Sequence, residues 1–311
     1  MARPLVSVII PLFNKEQFIE QTLQSVLNQS YKNLECIIVD DGSTDNGPEI
    51  TRRFIEHNNL SWKLVSQPNA GQTKARNSGI RLSSGEYLAF LDSDDTWAPT
   101  KIQSQVDAMI KKPGCVLVLS AYAIFGDRTK IPRVVRHKRS NRMNSRWLDM
   151  RGFGGGLESL GLVRRSTIDE IGMFDEGLST SSGLDLSLRL AQCGDIVLLK
   201  NIGLYYRISD GQWHGNSDAL KSDLVRLISR YGASNSKKLV ALQESYFYWT
   251  KVRSKGLLEF VKGMFLVIIK LDIYRILMLG SLLSRNLYSQ LLGWLERKQT
   301  TEFLSQVKAQ R

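Results

Sequence analysis

Four short apolar runs, separated by helical stretches and ending on turn-forming or acidic residues, restrict this chain to few folds. The first (Leu5, Val6, Ser7, Val8, Ile9, Ile10) is β-branched, too short for a helix and bounded by Pro11, so it reads as a buried strand. Residues 34–39, 62–65 and 86–91 repeat the pattern. Between the first two, the spacing of Phe18, Ile19, Leu23, Val26 and Leu27 predicts an amphipathic helix, capped by Asn14 with Gln17 at the capping-box position. Ser43, Thr44 or Asp45 is placed to cap a second helix that runs to His57, and the turn Asn69-Ala70-Gly71 opens a third over residues 72–82. Strand and helix in this alternation imply an α/β fold with a mixed, mainly parallel sheet and helices on both faces.

The rhythm loosens further on. Residues 101–111, 166–171 and 184–193 read as helical, and 115–125, 196–199 and 204–208 as strands. Residues 128–146 have no periodicity and read as a loop, and Gly152, Gly154, Gly155 and Gly156 form a flexible break soon after it. Past Gly215 the pattern turns helical. The expected organisation is an α/β domain over 1–215 and a basic amphipathic helical domain over 216–311.

Charge is distributed as unevenly as structure. The net charge is +12, yet residues 128–146 alone hold eight Lys and Arg with no acid, and residues 231–311 hold 13 against five acids. The remainder is slightly acidic, so two segments carry the basicity. Such patches attract anionic membranes, nucleic acids or diphosphates. No helix-turn-helix, zinc or RNA-binding signature accompanies them, which argues against a nucleic-acid partner. A dinucleotide dehydrogenase is excluded by the lack of a Gly-x-Gly-x-x-Gly turn after the first strand.

Residues 257–287 are dense in Leu, Ile, Val, Met and Phe but broken by Glu259, Lys262, Lys270, Asp272, Arg275 and Arg285. No stretch reaches the roughly 18 uncharged apolar residues that span a bilayer. A basic amphipathic helix of this kind lies in the membrane interface, where Trp249, Tyr274, Tyr288 and Trp294 are also at home. The blander alternative is that the tail packs on the first domain or on a second copy as a homodimer. Cys36, Cys115 and Cys193 are odd in number and lack metal-site spacing, which suits reduced, buried thiols. With no leader-like start at residues 1–4, the expected place is the cytoplasm, peripheral on the inner face of the cell membrane.

Chemistry is indicated by the acids. Asp40-Asp41 and Asp92-Ser93-Asp94-Asp95 each come directly after an apolar strand run, and open α/β sheets bind ligands beyond the carboxyl ends of their strands. Two acidic clusters brought together raise each other's pKa unless a cation intervenes. Oxygen-only ligands suit Mg²⁺ or Mn²⁺ bridging a carboxylate and a diphosphate. Asp45 and Asp95 are as well explained as turn formers. Arg76 and Lys74, at a helix start, answer a phosphate or the acids; for Lys74 a solvated charge is the simpler account.

These segments together resemble the signature blocks of family 2 glycosyltransferases of GT-A fold: residues 6–14 (Val-Ser-Val-Ile-Ile-Pro-Leu-Phe-Asn), 38–45 (Ile-Val-Asp-Asp-Gly-Ser-Thr-Asp), 71–79 and 90–95 (Phe-Leu-Asp-Ser-Asp-Asp), in the family's order and spacing. Residues 172–176 and 186–190 resemble two further blocks. The resemblance implies an inverting transfer from a nucleoside-diphosphate sugar, commonly a UDP-sugar, to a lipid-linked or cell-surface glycan. It implies that Pro11, Leu12 and Asn14 line the nucleoside pocket, that one acid of Asp40-Asp41 reads the base, that Arg76 meets nucleotide or diphosphate, that Asp92 meets the ribose, and that Asp94 meets the metal.

One block departs from the pattern. Where the family carries Glu-Asp, whose Asp takes the acceptor's proton, this chain has Ser182-Gly183. Asp185 is the nearest carboxylate and is expected to serve as the base. Glu158, Asp175 and His214 are the alternatives. A third reading is a nucleotide-sugar-binding pseudoenzyme that acts as an assembly partner.

Overall fold

The computed structural model describes residues 3–125, 133–135 and 157–207, together with residues 219, 222, 223, 226, 227, 230 and 231. The first compact unit runs from Met1 to Tyr231 and the second from Gly232 to Arg311. The amphipathic tail, the glycine-rich stretch, His214 and nearly all of the basic segment lie outside the described residues.

Among the described residues nine strands form one sheet, eight of them in the order β3-β2-β1-β4-β8-β6-β9-β5, with β7 paired to β6 off this path. The first four, β1 (Val6–Leu12), β2 (Leu34–Asp40), β3 (Lys63–Ser66) and β4 (Tyr87–Phe90), run parallel. They correspond to the four apolar runs. All seven residues of β1 are buried, and burying a Val, Ile or Leu side chain contributes about 1.5–3 kcal/mol each. That burial fixes β1 as the central strand of this half. Helices cover both faces. α3 (Gln72–Leu82) lies over Ile9, Ile37 and Val39, against which Ala75 packs and Gly79 presses so closely that an added Cβ would stand 2.3 Å from Ile9 Cγ2. On the opposite face the first turn of α2 (Gly47–His57) meets Leu12. The remaining helix of this half is α1 (Ile19–Leu27).

In the second half direction is mixed. β8 (Gly161–Arg164) pairs antiparallel with both β4 and β6 (Cys115–Phe125), and β9 (Asp195–Arg207) runs parallel to β6. β5 (Thr96–Trp97) closes that edge antiparallel to β9. α4 (Lys101–Lys111), α5 (Leu157–Leu160), α6 (Arg165–Ile171) and α7 (Ser182–Cys193) complete the order.

Several expectations are corrected. Residues 196–199 and 204–208 are not two strands: β9 continues through Asn201 and Gly203, held by β6 despite register shifts. Within the basic segment, read as loop, Arg133–Val135 forms β7 against β6; its partner strand supplies the order that periodicity did not signal. Asn14 caps no helix. It adopts a positive φ of 50°, and α1 starts later, at Ile19. Cys36 and Cys115 are buried free thiols as expected, but Cys193 is exposed. Among the described residues no helix is long and apolar enough to cross a membrane.

Candidate functional site

Because β1 to β4 run parallel, the loops at their carboxyl ends leave the sheet at one edge. Four sets of hydrogen bonds tie these loops into a ring. After β1, Asn14 accepts from the Thr44 amide at 2.8 Å, and its own amide donates to Ser43 Oγ at 3.1 Å. After β2, Asp41 accepts from the Ala70 and Gly71 amides at 2.9 and 2.8 Å, which anchors the loop leading into α3. From α3, Gln72 Nε2 and Arg76 Nη2 donate to Asp92 Oδ1 at 2.9 and 2.7 Å. Lys15 Nζ closes the ring on Asp94 Oδ2 at 2.7 Å, back in the loop after β1. The two acidic clusters and Arg76 therefore meet at one edge.

Within the ring the acids differ. Asp41 has both oxygens engaged, with Gln67 Nε2 as a third donor at 2.7 Å. Asp40 holds a turn by accepting from the Ser43 amide at 2.9 Å, and among the described residues only that oxygen is bonded. Asp45 serves local structure: it accepts from the Glu16 amide at 2.8 Å and the Gly47 amide at 2.9 Å. Asp95 is wholly buried. Burial, then the charges of Asp94 and Asp92, push its carboxyl well up. It accepts from the Arg207 amide at 2.9 Å, and its Oδ2 has no partner among the described residues. Lys74 is exposed. Pro11 and Leu12 are buried beneath the edge, and the Leu12 carbonyl accepts from the Asp41 amide at 2.8 Å. Phe13, 43% exposed, is the side chain of that segment that turns outward.

Among the described residues no three His, Cys, Asp or Glu side chains gather to hold a metal by themselves. Mg²⁺ and its kin bind through one or two carboxylates plus substrate phosphates, and a single hard-oxygen donor such as Asp94 fits an ion that arrives with its diphosphate.

α3 also reaches the second half. Asn77 Nδ2 donates to the Phe174 carbonyl at 2.9 Å and Thr73 Oγ1 to Ser182 Oγ at 3.2 Å. Phe174 stands edge-on to Phe90, with ring centroids 5.0 Å apart. Beside Arg76 lies Glu158 of α5, its Oε1 3.6 Å from Nη1. Burial raises the Glu158 carboxyl; Arg76 opposes this and Asp92 reinforces it.

Asp185, expected to accept the acceptor's proton, is placed elsewhere. It is fully buried, with Oδ2 receiving Arg189 Nε at 2.8 Å and Oδ1 receiving Arg230 Nη1 and, at 3.0 Å, the Tyr231 hydroxyl. Arg189 in turn donates to the carbonyls of Ile171, Gly172 and Met173. Asp185 thus clasps α7 to the loop before it and to the segment after β9, and this network leaves it no route to an acceptor. Asp175 belongs to the same clasp, 2.6 Å from Arg230 Nη2. Burial alone would raise Asp175, but the Gly177 amide and Arg230 outweigh it and hold its carboxyl below the usual range.

Sequence reasoning missed Lys15, Ser159, Asp223 and Arg230. Ser159 Oγ accepts from the Asp92 amide at 3.1 Å. Asp223 gathers the amides of Ser179, Thr180 and Ser181 at 3.1, 2.7 and 3.0 Å, ordering the approach to α7. These polar residues sit in helical or loop stretches with no local pattern, so no periodicity could have found them.

Carboxylates and an arginine collected at the carboxyl ends of parallel strands, on a sheet whose second half is mixed, define an α/β domain of GT-A type. The chain matches Glycosyl transferase family 2 over residues 7–171, more than half its length, and belongs to that family; its α/β domain is a glycosyltransferase domain. TuaG of Bacillus subtilis strain 168, named for teichuronic acid biosynthesis, is 36% identical over 134 residues, covering 43% of this chain and 53% of TuaG. An uncharacterized glycosyltransferase of Haemophilus influenzae is 40% identical over 111 residues, covering 36% of this chain and 44% of that protein. The chain thus spans about half the length of these relatives. Among solved structures, S. aureus TarS 1–349 in complex with UDP-GlcNAc superposes with a TM-score of 0.60 at 19% identity, covering 89% of this chain and 80% of that one. The mannosyltransferase PcManGT from Pyrobaculum calidifontis, with GDP-Man and Mn²⁺, gives 0.60 at 19% identity, covering 89% and 84%. These two likenesses establish the fold.

Proposed function

We propose that this chain transfers a sugar, with inversion at the anomeric carbon, from a nucleoside diphosphate sugar to a hydroxyl of a lipid-linked or cell-surface glycan. The observation that carries this reading is the ring of contacts that gathers Asp40, Asp92, Asp94 and Arg76 at one sheet edge. In it Asp40, with one oxygen bonded, accepts a hydrogen bond from the base, whereas Asp41 only braces the loop. Pro11, Leu12 and Asn14 shape the nucleoside side, Asp92 meets the ribose, and Arg76 meets the diphosphate. Asp94 would hold Mg²⁺ or Mn²⁺ together with the donor's phosphate oxygens, and such an ion neutralises the charge that grows on the departing diphosphate.

A UDP-sugar is the preferred donor class, since solved structures of this fold hold UDP or UDP-GlcNAc. TuaG's name favours a cell-surface polymer as acceptor. The basic, apolar composition of residues 216–311 supports peripheral attachment to the inner face of the cell membrane, with homodimer formation as its other use. A second reading, donor binding without transfer, is favoured by one observation, the sealed position of Asp185.

A thermal-shift panel of UDP-GlcNAc, UDP-glucose, UDP-galactose and GDP-mannose, with and without Mn²⁺, tests the proposal. Saturation at 100 times Kd stabilises the folded state by about 2.7 kcal/mol, so one donor should raise Tm, and more so with Mn²⁺. Asp94→Asn should abolish the Mn²⁺-dependent increment. No shift with any donor would refute it. Release of diphosphate separates transfer from binding alone.

A further inference from the structure

Transfer to a hydroxyl needs a group within about 3 Å that takes its proton. The acids near the edge are nearly all committed. Asp41 bonds three donors, Asp92 bonds Gln72 and Arg76, Asp94 pairs with Lys15, and Asp185 is sealed among Arg189, Arg230 and Tyr231. Asp40 is given to the nucleotide's base in the proposed reading, and Glu158 is the remaining acid, held by amides, its own and that of Gly183, rather than by a close cation. Its nearest cation, Arg76, stands 3.6 Å away and is already bonded to Asp92. Its side chain retains 15% of its surface accessible.

The space it occupies is specific. A Cβ built on Gly183, in the first turn of α7, would lie 2.1 Å from Glu158 Oε1, 2.3 Å from Cδ and 2.3 Å from Oε2. The Glu158 carboxyl therefore fills the volume a side chain at 183 would take, and a Cβ there would push it aside. The neighbouring Ser159, bonded to the Asp92 amide, fixes α5 against the donor edge.

We propose that Glu158 is the catalytic base of this chain, its carboxylate reaching from α5 into the place that Gly183 leaves open. It rests on the transferase reading above. In the step, the acceptor oxygen forms a bond to the anomeric carbon and the bond from that carbon to the diphosphate oxygen breaks. The electron pair leaves on the nucleoside diphosphate, and the acceptor's proton passes to a Glu158 oxygen. Arg76 and Asp92 are the charged groups that face Glu158, and they oppose each other. With burial dominant, the carboxyl sits above its usual range, nearer to neutrality, which suits a base.

The test uses the full chain with Mn²⁺ and the best-stabilising donor of the panel, with donor affinity and diphosphate release to water as the two readouts. Glu158→Gln should lower the rate by about 10²- to 10⁴-fold, leave donor Kd unchanged, and remove the limb on which the native rate rises with pH as the carboxyl ionises. The exchange Glu158→Ser with Gly183→Asp, which returns a carboxylate to the same volume from α7, should restore activity at least tenfold over Glu158→Gln. An unaltered Glu158→Gln rate overturns the assignment while the transferase reading stands. Lost donor affinity in Glu158→Gln overturns it in favour of a positioning role through Arg76. A native chain that binds donor but releases no diphosphate overturns it in favour of the binding-only reading, and a chain that binds no donor ends both proposals.

Discussion

The loops after β1 to β4 and the segment from α5 to α7 hold their carboxylates in opposite ways. At the loop edge, each acid lies at the end of a buried strand or a few residues beyond it, and its partners are amides and side chains of the adjoining loops. Asp41 and Asp92 have this character. From α5 to α7, partners come from distant parts of the chain. Arg230 and Tyr231 close over Asp185, and Glu158 fills the gap above Gly183. In the first region the position of an acid in the sequence states its surroundings. In the second, two acids of similar appearance have opposite surroundings, one enclosed by cations and one set against the bare backbone of Gly183.

The most severe way to break this contrast is to remove Asp185. If it is a clasp, Asp185→Ala takes from Arg189 and Arg230 the buried carboxylate they share and should destabilise the fold by about 3–5 kcal/mol. Urea unfolding would measure this, and a rate loss without a stability loss would return the base role to Asp185. Next, Gly79→Ala sharpens the contrast from the other region. Its Cβ would stand 2.3 Å from Ile9 Cγ2, and overpacking of this kind costs about 1–3 kcal/mol. A fall in Tm without a change in the pH profile of diphosphate release is expected. The smallest effect belongs to Asp175→Asn. The Asp175–Arg230 pair is partly exposed, so its loss at neutral pH should cost about 1 kcal/mol or less. The folded carboxyl of Asp175 is depressed. Its contribution is therefore complete above the unfolded value near 4 and is lost as pH falls through the folded one. The variant should be less sensitive to acid below pH 4 than the native chain, as stability measured from about pH 3 to 7 would show.

Much of the first region was legible. The parallel strands were readable because a buried strand is a run of β-branched residues and needs no distant information. Asp40, Asp41, Asp92 and Asp94 were readable because they interrupt such runs at their ends. Less was legible where a fold feature depended on a partner. β7 exists because β6 lies beside it, and the two expected strands at 196–199 and 204–208 are one because β6 bridges the gap between them. Asn14 has the sequence of a helix cap, yet the Thr44 amide engages its side chain.

By itself, then, the sequence determined the α/β frame, the edge at which the carboxylates and Arg76 gather, and the departure from the family pattern at Ser182-Gly183. Only the tertiary structure shows how Asp185 and Glu158, the acids nearest that departure, are surrounded. The physical reason is that a carboxylate's availability depends on which groups surround it in space: Arg230 and Tyr231 occupy the lone pairs of Asp185, while the bare backbone at Gly183 admits Glu158. Neither neighbour is written in the residues adjoining either acid.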